Sequence, residues 1–520
     1  MAESSSSPNA STRLCGLPWP ARPDRVEGSL PVYDSIWIDG CAAAASDGER
    51  LESVDPASGN VLAGFSAGSA EDVDRAVNAA RLALAGSWGS LPPARRGGLL
   101  LDLADACRRH VDTLAELEML DTGKPISAAR GDMEGVASTL TYNAGAADKL
   151  EGISVPLGRE FFDFTEAEPL GVTAHITPWN FPLGMAARSI APALAAGCTT
   201  VIKPAEQTPL STLALARMAK EAGFPEGVVN VVTGDGPRTG AMLAGHPGID
   251  GVTFTGSVET GRSVGAAAGR NLRPAVLELG GKNPMIVFAD ADLEHAVESA
   301  VEGAFDNCGQ VCSSASRLLL EQAIAEEFLS RFVERAGRLR AGPGHEDPDL
   351  GPLVSREQYE RVRGHLSLAA EEGAHFLLGE PPAEWEGGGF FVHPAVLEPA
   401  SLDSQVATKE TFGPVVTVYR FRGEDEALKI ANRLPYGLAA GVHTASIDRA
   451  LRLSRRLDAG TVWINGWFIG GVQAPTGGIK DSGFGRERGQ EGLRHYLRIK
   501  NIGIHLGFGN GRTFSAEDGG

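Results

Sequence analysis

The chain has 520 residues, past the length at which a single hydrophobic core stops growing, so at least two domains are expected. Hydrophobic residues at 42% beside charged ones at 22% describe a soluble globular protein and exclude a disordered one, and no apolar run reaches the roughly 18 residues of a membrane span. A formal net charge of -19 repels phosphate backbones and anionic membrane surfaces, which argues against nucleic-acid and membrane partners while leaving room for a locally basic pocket.

The opening MAESSSSPNASTRLCG lacks a basic segment leading into an apolar one, so it does not read as a secretory signal. Residues 1–32 are expected to form a disordered tail, as are 509–520 at the other end. Six cysteines without regular spacing point to free thiols in a reducing compartment, hence to the cytoplasm.

Between the tails, short β-branched runs alternate with longer amphipathic ones, the pattern of an α/β architecture with parallel strands. GVTAHIT (171–177) reads as a strand and PLGMAARSIAPALAAG (182–197) as a helix closed by Gly197. TTVIKP (199–204) is again strand-like, followed by a helix over 208–223 capped by Thr208 and stopped by Gly223. VVNVVTG (228–234) and GVTFTG (251–256) add two strands, and a second βα-rich half begins near 284 and runs to about 480. Such sheets bind ligands at the carboxyl ends of their strands, which places Thr177 to Asn180, Lys203 to Glu206, Gly234, and Gly256 to Ser257 among the candidate functional positions. GREFFDFTEAE (158–168) and YLRIKNIGIHL (496–506) read as strands without neighbours in sequence, the kind that pairs with another chain.

The chemistry centres on FDNCGQVCSSASR (305–317). A lone cysteine is commonly a small buried hydrophobe, and zinc would need four N or S ligands where only His295 is near, so no metal is expected. The spacing of Cys308 and Cys312 would put both sulfurs on one helical face and allow a reversible bridge. A nucleophilic Cys312 would instead need a base and donors for developing negative charge.

The tract resembles the FxNxGQxC signature of the aldehyde dehydrogenase superfamily at Phe305, Asn307, Gly309, Gln310 and Cys312. LELGGKNP (277–284), ITPWNFPL (176–183), KPAEQTP (203–209), FTGSVETG (254–261), ETFGPV (410–415) and PTGGIKDSGFGRERG (475–489) resemble further motifs of that family, in its order, over roughly 33–508. The resemblance implies a Rossmann-like cofactor domain (33–148 and 169–279), an α/β catalytic domain (280–480) and a small β oligomerisation extension (149–168 and 490–508) that makes homodimers or homotetramers. It implies that Cys312 is the nucleophile, presented by a loop that Asn307, Gly309 and Gln310 shape, that Glu278 activates water, and that Asn180 supplies an oxyanion donor. Cys308 is then supporting structure or a redox guard. The cofactor is expected to be NAD, held by Thr177, Pro178, Trp179, Lys203, Glu206, Gly234, Gly256, Ser257, Leu279, Gly280, Glu410 and Phe412. Gly256 and Ser257 offer helix-start N–H groups to a pyrophosphate, and a carboxylate at Glu206 accepts from ribose hydroxyls and repels a 2′-phosphate. A thioesterase-like cysteine hydrolase would need no nicotinamide. A CoA-acylating member would not need Glu278, and a non-catalytic one would not keep all three residues.

In the substrate pocket the chain departs from the family's aromatic pattern. Arg188 stands where Trp is frequent, Asp306 where an aromatic is usual, and Gly470 and Thr476 where two further aromatics are found. Phe181, Trp467 and Phe468 are expected to fill part of the volume. Arg188 resembles the arginine of succinate-semialdehyde dehydrogenases, whereas Asp306, with Asp132 and Glu134 near the mouth, resembles aminoaldehyde enzymes. Arg188 and Asp306 also form a candidate ion pair with each other. A polar or charge-bearing aldehyde is expected, and the missing aromatic box argues against a trimethylammonium substrate.

Overall fold

In the computed structural model, which describes residues 35–384 and 387–506, the run GVTAHIT becomes strand Val172–Ile176 and the next apolar run becomes helix Pro182–Ala196. Pro182 sits in the first turn, where a missing N–H costs nothing. Gly197, at φ 101, ends the helix by returning its N–H to the Ala193 and Leu194 carbonyls. Strand Thr199–Lys203 and helix Leu210–Glu221 repeat the unit. The expected Thr208 cap is not made: Pro209 holds the N-cap position and Thr208 Oγ1 is buried without a hydrogen-bond partner. The helix start finds its acceptor elsewhere, because the Leu210 N–H donates to the buried Asp121 carboxyl at 2.8 Å.

The first sheet runs, strand by strand, Gly483–Phe484, Ala275–Leu279, Gly251–Gly256, Val172–Ile176, Thr199–Lys203, Val229–Val231, Ile36–Ile38, Cys41–Ala43. The strands from Ala275–Leu279 to Val229–Val231 are parallel, and the outer ones join antiparallel. Every residue of Val172–Ile176 and Thr199–Lys203 is buried because both faces are covered. Val201 packs into a cluster with Val73 and Val77, while its neighbour Ile202 packs into another with Leu183 and Ile190. The chain crosses to a second sheet between Leu279 and Pro284. There the order is His375–Leu378, Ala395–Glu398, Val415–Phe421, Arg317–Glu321, Pro284–Val287, Ala439–His443, Thr461–Ile464, parallel except for the first pair.

The two outlying strands find each other. Phe161–Pro169 pairs antiparallel with Leu497–His505 along its whole length, with Ser154–Val155 on its other side. This small sheet leaves Phe161, Phe162, Ile499 and Ile504 exposed. Cys107, Cys198, Cys308 and Cys312 are free thiols, but Cys41 is disulfide-bonded, contrary to the expectation of free thiols throughout. Among the described residues no helix is long and apolar enough to cross a membrane. The expected tails, 1–32 and 509–520, lie outside the described residues.

Candidate active site

A cavity of about 1260 Å³ runs between the two sheets at the carboxyl ends of the first sheet's parallel strands. Cys312, Glu278 and Asn180 all line it. The loop that presents Cys312 follows helix Leu293–Phe305 and winds left-handed: Asn307, Cys308 and Gly309 have φ of 49°, 57° and 69°. Gly309 is needed here, since a Cβ on it would stand 2.2 Å from the Gly413 carbonyl oxygen. A left-handed Cys308 costs about 1–2 kcal/mol. Gln310 offsets this by stitching the loop: its Oε1 accepts from the Val354 N–H at 2.9 Å and its Nε2 donates to the Asn307 carbonyl at 3.1 Å. This winding overturns the picture of two sulfurs on one helical face. Cys308 turns into an apolar cluster with Val362, Leu366 and Val392, whereas Cys312 faces the cavity.

Asn180 sits just before helix Pro182–Ala196 and is locked from three directions. Its side-chain amide donates to the Gln310 carbonyl at 2.9 Å, and its own carbonyl accepts from Asn307 Nδ2 and Lys124 Nζ, each at 3.1 Å. An amide carries two N–H groups, so the second remains for a ligand. Lys124 is buried, bonded to Asp132 at 2.5 Å, and lies 4.3 Å over the Phe181 ring.

Glu278 is the penultimate residue of strand Ala275–Leu279 and is buried. Its Oε1 has no hydrogen-bond partner and lies 2.6 Å from where a Cβ on Gly477 would stand, so only glycine leaves it room. Burial holds this carboxyl well above the usual range, and the nearby Glu487 adds to the effect against the pull of Arg188 and Arg486. Burial also pushes the Cys312 thiol up to about 11, with Arg188 pulling it down and Glu278 and Glu410 raising it.

Towards the other end of the cavity, Lys203 Nζ donates to Glu206 at 2.9 Å. Gly256 ends its strand and Ser257 caps helix Val258–Arg270, its side chain accepting from the Thr260 N–H. Thr177, Pro178 and Trp179 line the wall, and the Trp179 ring meets Phe412 edge-on at 5.2 Å. Phe412 itself adopts φ 59, and its carbonyl is held by Gln358 Nε2 at 2.6 Å. The Glu410 carboxyl accepts from the Gly281 N–H at 3.0 Å and abuts Gly280, where a Cβ would stand 2.1 Å from Oε2. Burial pushes Glu410 up to about 7.

Two expected cofactor residues are not on the wall. Gly234, at φ 149, folds back on Thr239, and Gly236, Pro237 and Gly240 face the cavity in its stead. The Leu279 side chain packs into the apolar cluster against Gly261.

The cavity's other lining residues include Phe181, Arg188, Asp306, Phe468, Gly470 and Thr476. Asp132 also lines it but Glu134 does not. Arg188 does not pair with Asp306. Its Nε sits in close charge contact with Glu487, without the alignment of a hydrogen bond. Asp306 is pushed up to about 6 by burial, then by Asp132, against Lys124. Trp467 is misplaced by the sequence reading: it is a core residue, wedged against Gly303 and Gly441 with its indole donating to the Ser313 carbonyl at 3.0 Å. Trp463 takes its place on the wall.

The sequence profile of the aldehyde dehydrogenase family matches residues 43–502. The chain belongs to the aldehyde dehydrogenase family. It is 44% identical over 479 residues to retinal dehydrogenase 2 of Mus musculus, covering 91% of this chain and 92% of that protein. An aldehyde dehydrogenase of Emericella nidulans is also 44% identical, over 89% of this chain and 93% of its own. Among solved structures, an NAD+ complex of aldehyde dehydrogenase from Bacillus cereus matches with a TM-score of 0.89 and 40% identity, covering 91% of this chain and 97% of that one. Betaine aldehyde dehydrogenase from Staphylococcus aureus in complex with NAD+ matches with 0.90 and 38%, covering 93% and 96%.

Two groups of this aldehyde dehydrogenase site escaped the sequence reading. Lys124 lies in a DTGKP turn that carries no catalytic signature. Glu487 and Arg488, inside GFGRERG, read as charges in a Gly-rich loop. Arg488 lines the cavity with φ 61 and ψ 170, a region nearly restricted to glycine and worth roughly 1–3 kcal/mol of strain. A positive φ leaves no trace in a single sequence unless glycine marks it.

Proposed function

We propose that the protein oxidises a polar or charge-bearing aldehyde to the carboxylate with NAD, through a thiohemiacetal and a thioester on Cys312. The observation that carries this reading is the convergence of Cys312, Glu278 and Asn180 on one cavity that continues to Lys203, Glu206, Gly256 and Ser257.

The residues fit a dinucleotide. The wall around Gly236, Pro237, Gly240 and Ala244 is slim enough for a flat base, the start of helix Val258–Arg270 offers N–H groups for a pyrophosphate, and Glu206 is an acceptor for a ribose. Glu410 and Phe412 would hold the nicotinamide half. When bound, NAD supplies the hydride acceptor. The protein does the rest. Cys312 adds to the carbonyl carbon as its thiolate, and the carbonyl oxygen becomes an oxyanion that the free Asn180 N–H stabilises in a site poor in water. After hydride departs, the carbonyl re-forms as a thioester. Glu278 takes a proton from water, the hydroxyl oxygen attacks the thioester carbon, and the C–S bond breaks to return the Cys312 sulfur and release the carboxylate.

Support for a polar substrate comes from Arg188, Asp306 and Thr476 on the wall, with Thr476 Oγ1 buried and unpartnered. Asp306 and Asp132 favour a second reading, a cationic aminoaldehyde or betaine aldehyde. NADH formation should be measured with succinate semialdehyde, 4-aminobutyraldehyde, betaine aldehyde, hexanal and retinal. A charged aldehyde is expected to lead, and preference for hexanal or retinal would refute the polar pocket. The exposed apolar side chains of Phe161–Pro169 and Leu497–His505 support a homodimer or homotetramer.

The electrostatics predict an alkaline rise in kcat. Both Cys312 and Glu278 work deprotonated, and both are held above their ordinary values, so the active forms gain population as pH climbs past neutrality. Glu487→Gln removes a negative neighbour of Glu278 and leaves Arg188 uncompensated. The rising limb should therefore move to lower pH. Arg188→Met should move it the opposite way, and a limb that shifts in neither variant would show that this pair does not govern the site.

A further inference from the structure

We propose that Arg488 anchors an anionic group at the far end of the substrate, so that the preferred aldehydes are those carrying a carboxylate. This deepens the proposed function and rests on it.

The other charges at the aldehyde end of the cavity are already engaged. Arg188 is in contact with Glu487, and Asp132 with Lys124. Burial holds Glu278 well above the usual carboxylate range, whereas Asp306, exposed on the wall and pushed up only to about 6, stays mostly ionised at neutral pH beside Asp132 and Lys124. Among the described residues, Arg488 makes no hydrogen bond or ion pair through its guanidinium, yet it lines the wall within electrostatic reach of Cys312. The Arg488 side chain is also open to solvent; partial desolvation, with Arg188 next, pushes it down to about 10, which leaves it charged at neutral pH. Two arginines thus share the single carboxylate of Glu487. Arg488 has no carboxylate of its own, and a planar fork of donors suits one.

The backbone supplies an independent argument. Arg488 occupies a conformation that glycine would adopt without strain, and its neighbours fix it there. Thr476 and Glu487 exchange both backbone hydrogen bonds, at 2.9 and 2.8 Å, and the Gly489 N–H donates to the Val472 carbonyl at 2.9 Å. Packing alone does not call for a bulky cation at that point. Arg488 lines the same cavity as Gly470 and Thr476, the two positions without the aromatic side chains that the resemblance leads one to expect. A substrate held by its carbonyl at Cys312 and its carboxylate at Arg488 needs no aromatic wall.

The test compares kcat/KM for succinate semialdehyde and for pentanal, each with NAD, in wild type, Arg488→Gly and Arg488→Lys. Glycine relieves the strained backbone, so the variant should fold, and its melting temperature checks this. The ratio of kcat/KM for succinate semialdehyde to that for pentanal is expected to fall about 10-fold to 100-fold in Arg488→Gly, through KM, and to recover in part in Arg488→Lys. Competitive inhibition by succinate should weaken in parallel. If wild type oxidises both aldehydes and the ratio and the succinate inhibition do not move, the Arg488 anchor is wrong while the dehydrogenase reading stands. If wild type forms NADH from neither aldehyde, both fall.

Discussion

Cys312→Ala is expected to lose at least about ten-thousand-fold of the NAD-dependent oxidation rate while its fold survives. Among the described residues no other cysteine lines the cavity: Cys308 is turned into the apolar cluster with Val362 and Val392. The substitution shortens a partly exposed side chain without touching the bonds that shape its loop, those of Gln310 to Val354 and of Asn283 to the Cys312 carbonyl. Steady-state NADH formation and a thermal melt, measured side by side, check both halves. Retention of more than a few per cent of the rate would mean that another group forms the covalent bond.

Glu278→Gln carries the second large effect, and it falls on a different step. The amide keeps the shape of the side chain against Gly477 but accepts no proton, so hydrolysis of the thioester should slow by roughly a hundred-fold to ten-thousand-fold. Oxidation precedes that step. The variant should therefore release about one equivalent of NADH per site in a burst and then stall. Rapid mixing with NAD and a good aldehyde would show this. A linear trace at the reduced rate, with no burst, would place Glu278 before hydride transfer and contradict the assignment of water activation.

How much of this was legible in the sequence depends on how local each signal is. Gly197 and Gly223 closed their helices as expected, because a left-handed stop is decided by one residue and its immediate neighbours. The cap of the helix at Leu210 was not legible, since its acceptor, Asp121, comes from 89 positions earlier. Cys308 and Cys312 misled because a spacing of four assumes right-handed winding, and three successive residues wind the other way. Trp463 lies in strand Thr461–Ile464 and Trp467 in the loop just after it, so nothing in sequence tells which ring faces the cavity. The Arg188 to Asp306 pairing failed for a similar reason: the stronger partner, Glu487, sits in another motif that only the folded chain brings near.

The central claim is a covalent acyl group on one sulfur, and trapping it is the most direct measurement. Glu278→Gln should be mixed with NAD and the aldehyde that performs best, quenched in acid, digested and analysed by mass spectrometry. The account predicts that the peptide bearing Cys312 gains the mass of the aldehyde less two hydrogens, the signature of a thioester formed after oxidation. An unmodified Cys312 peptide after a full equivalent of NADH has formed, or the acyl group found on Cys308, would contradict it.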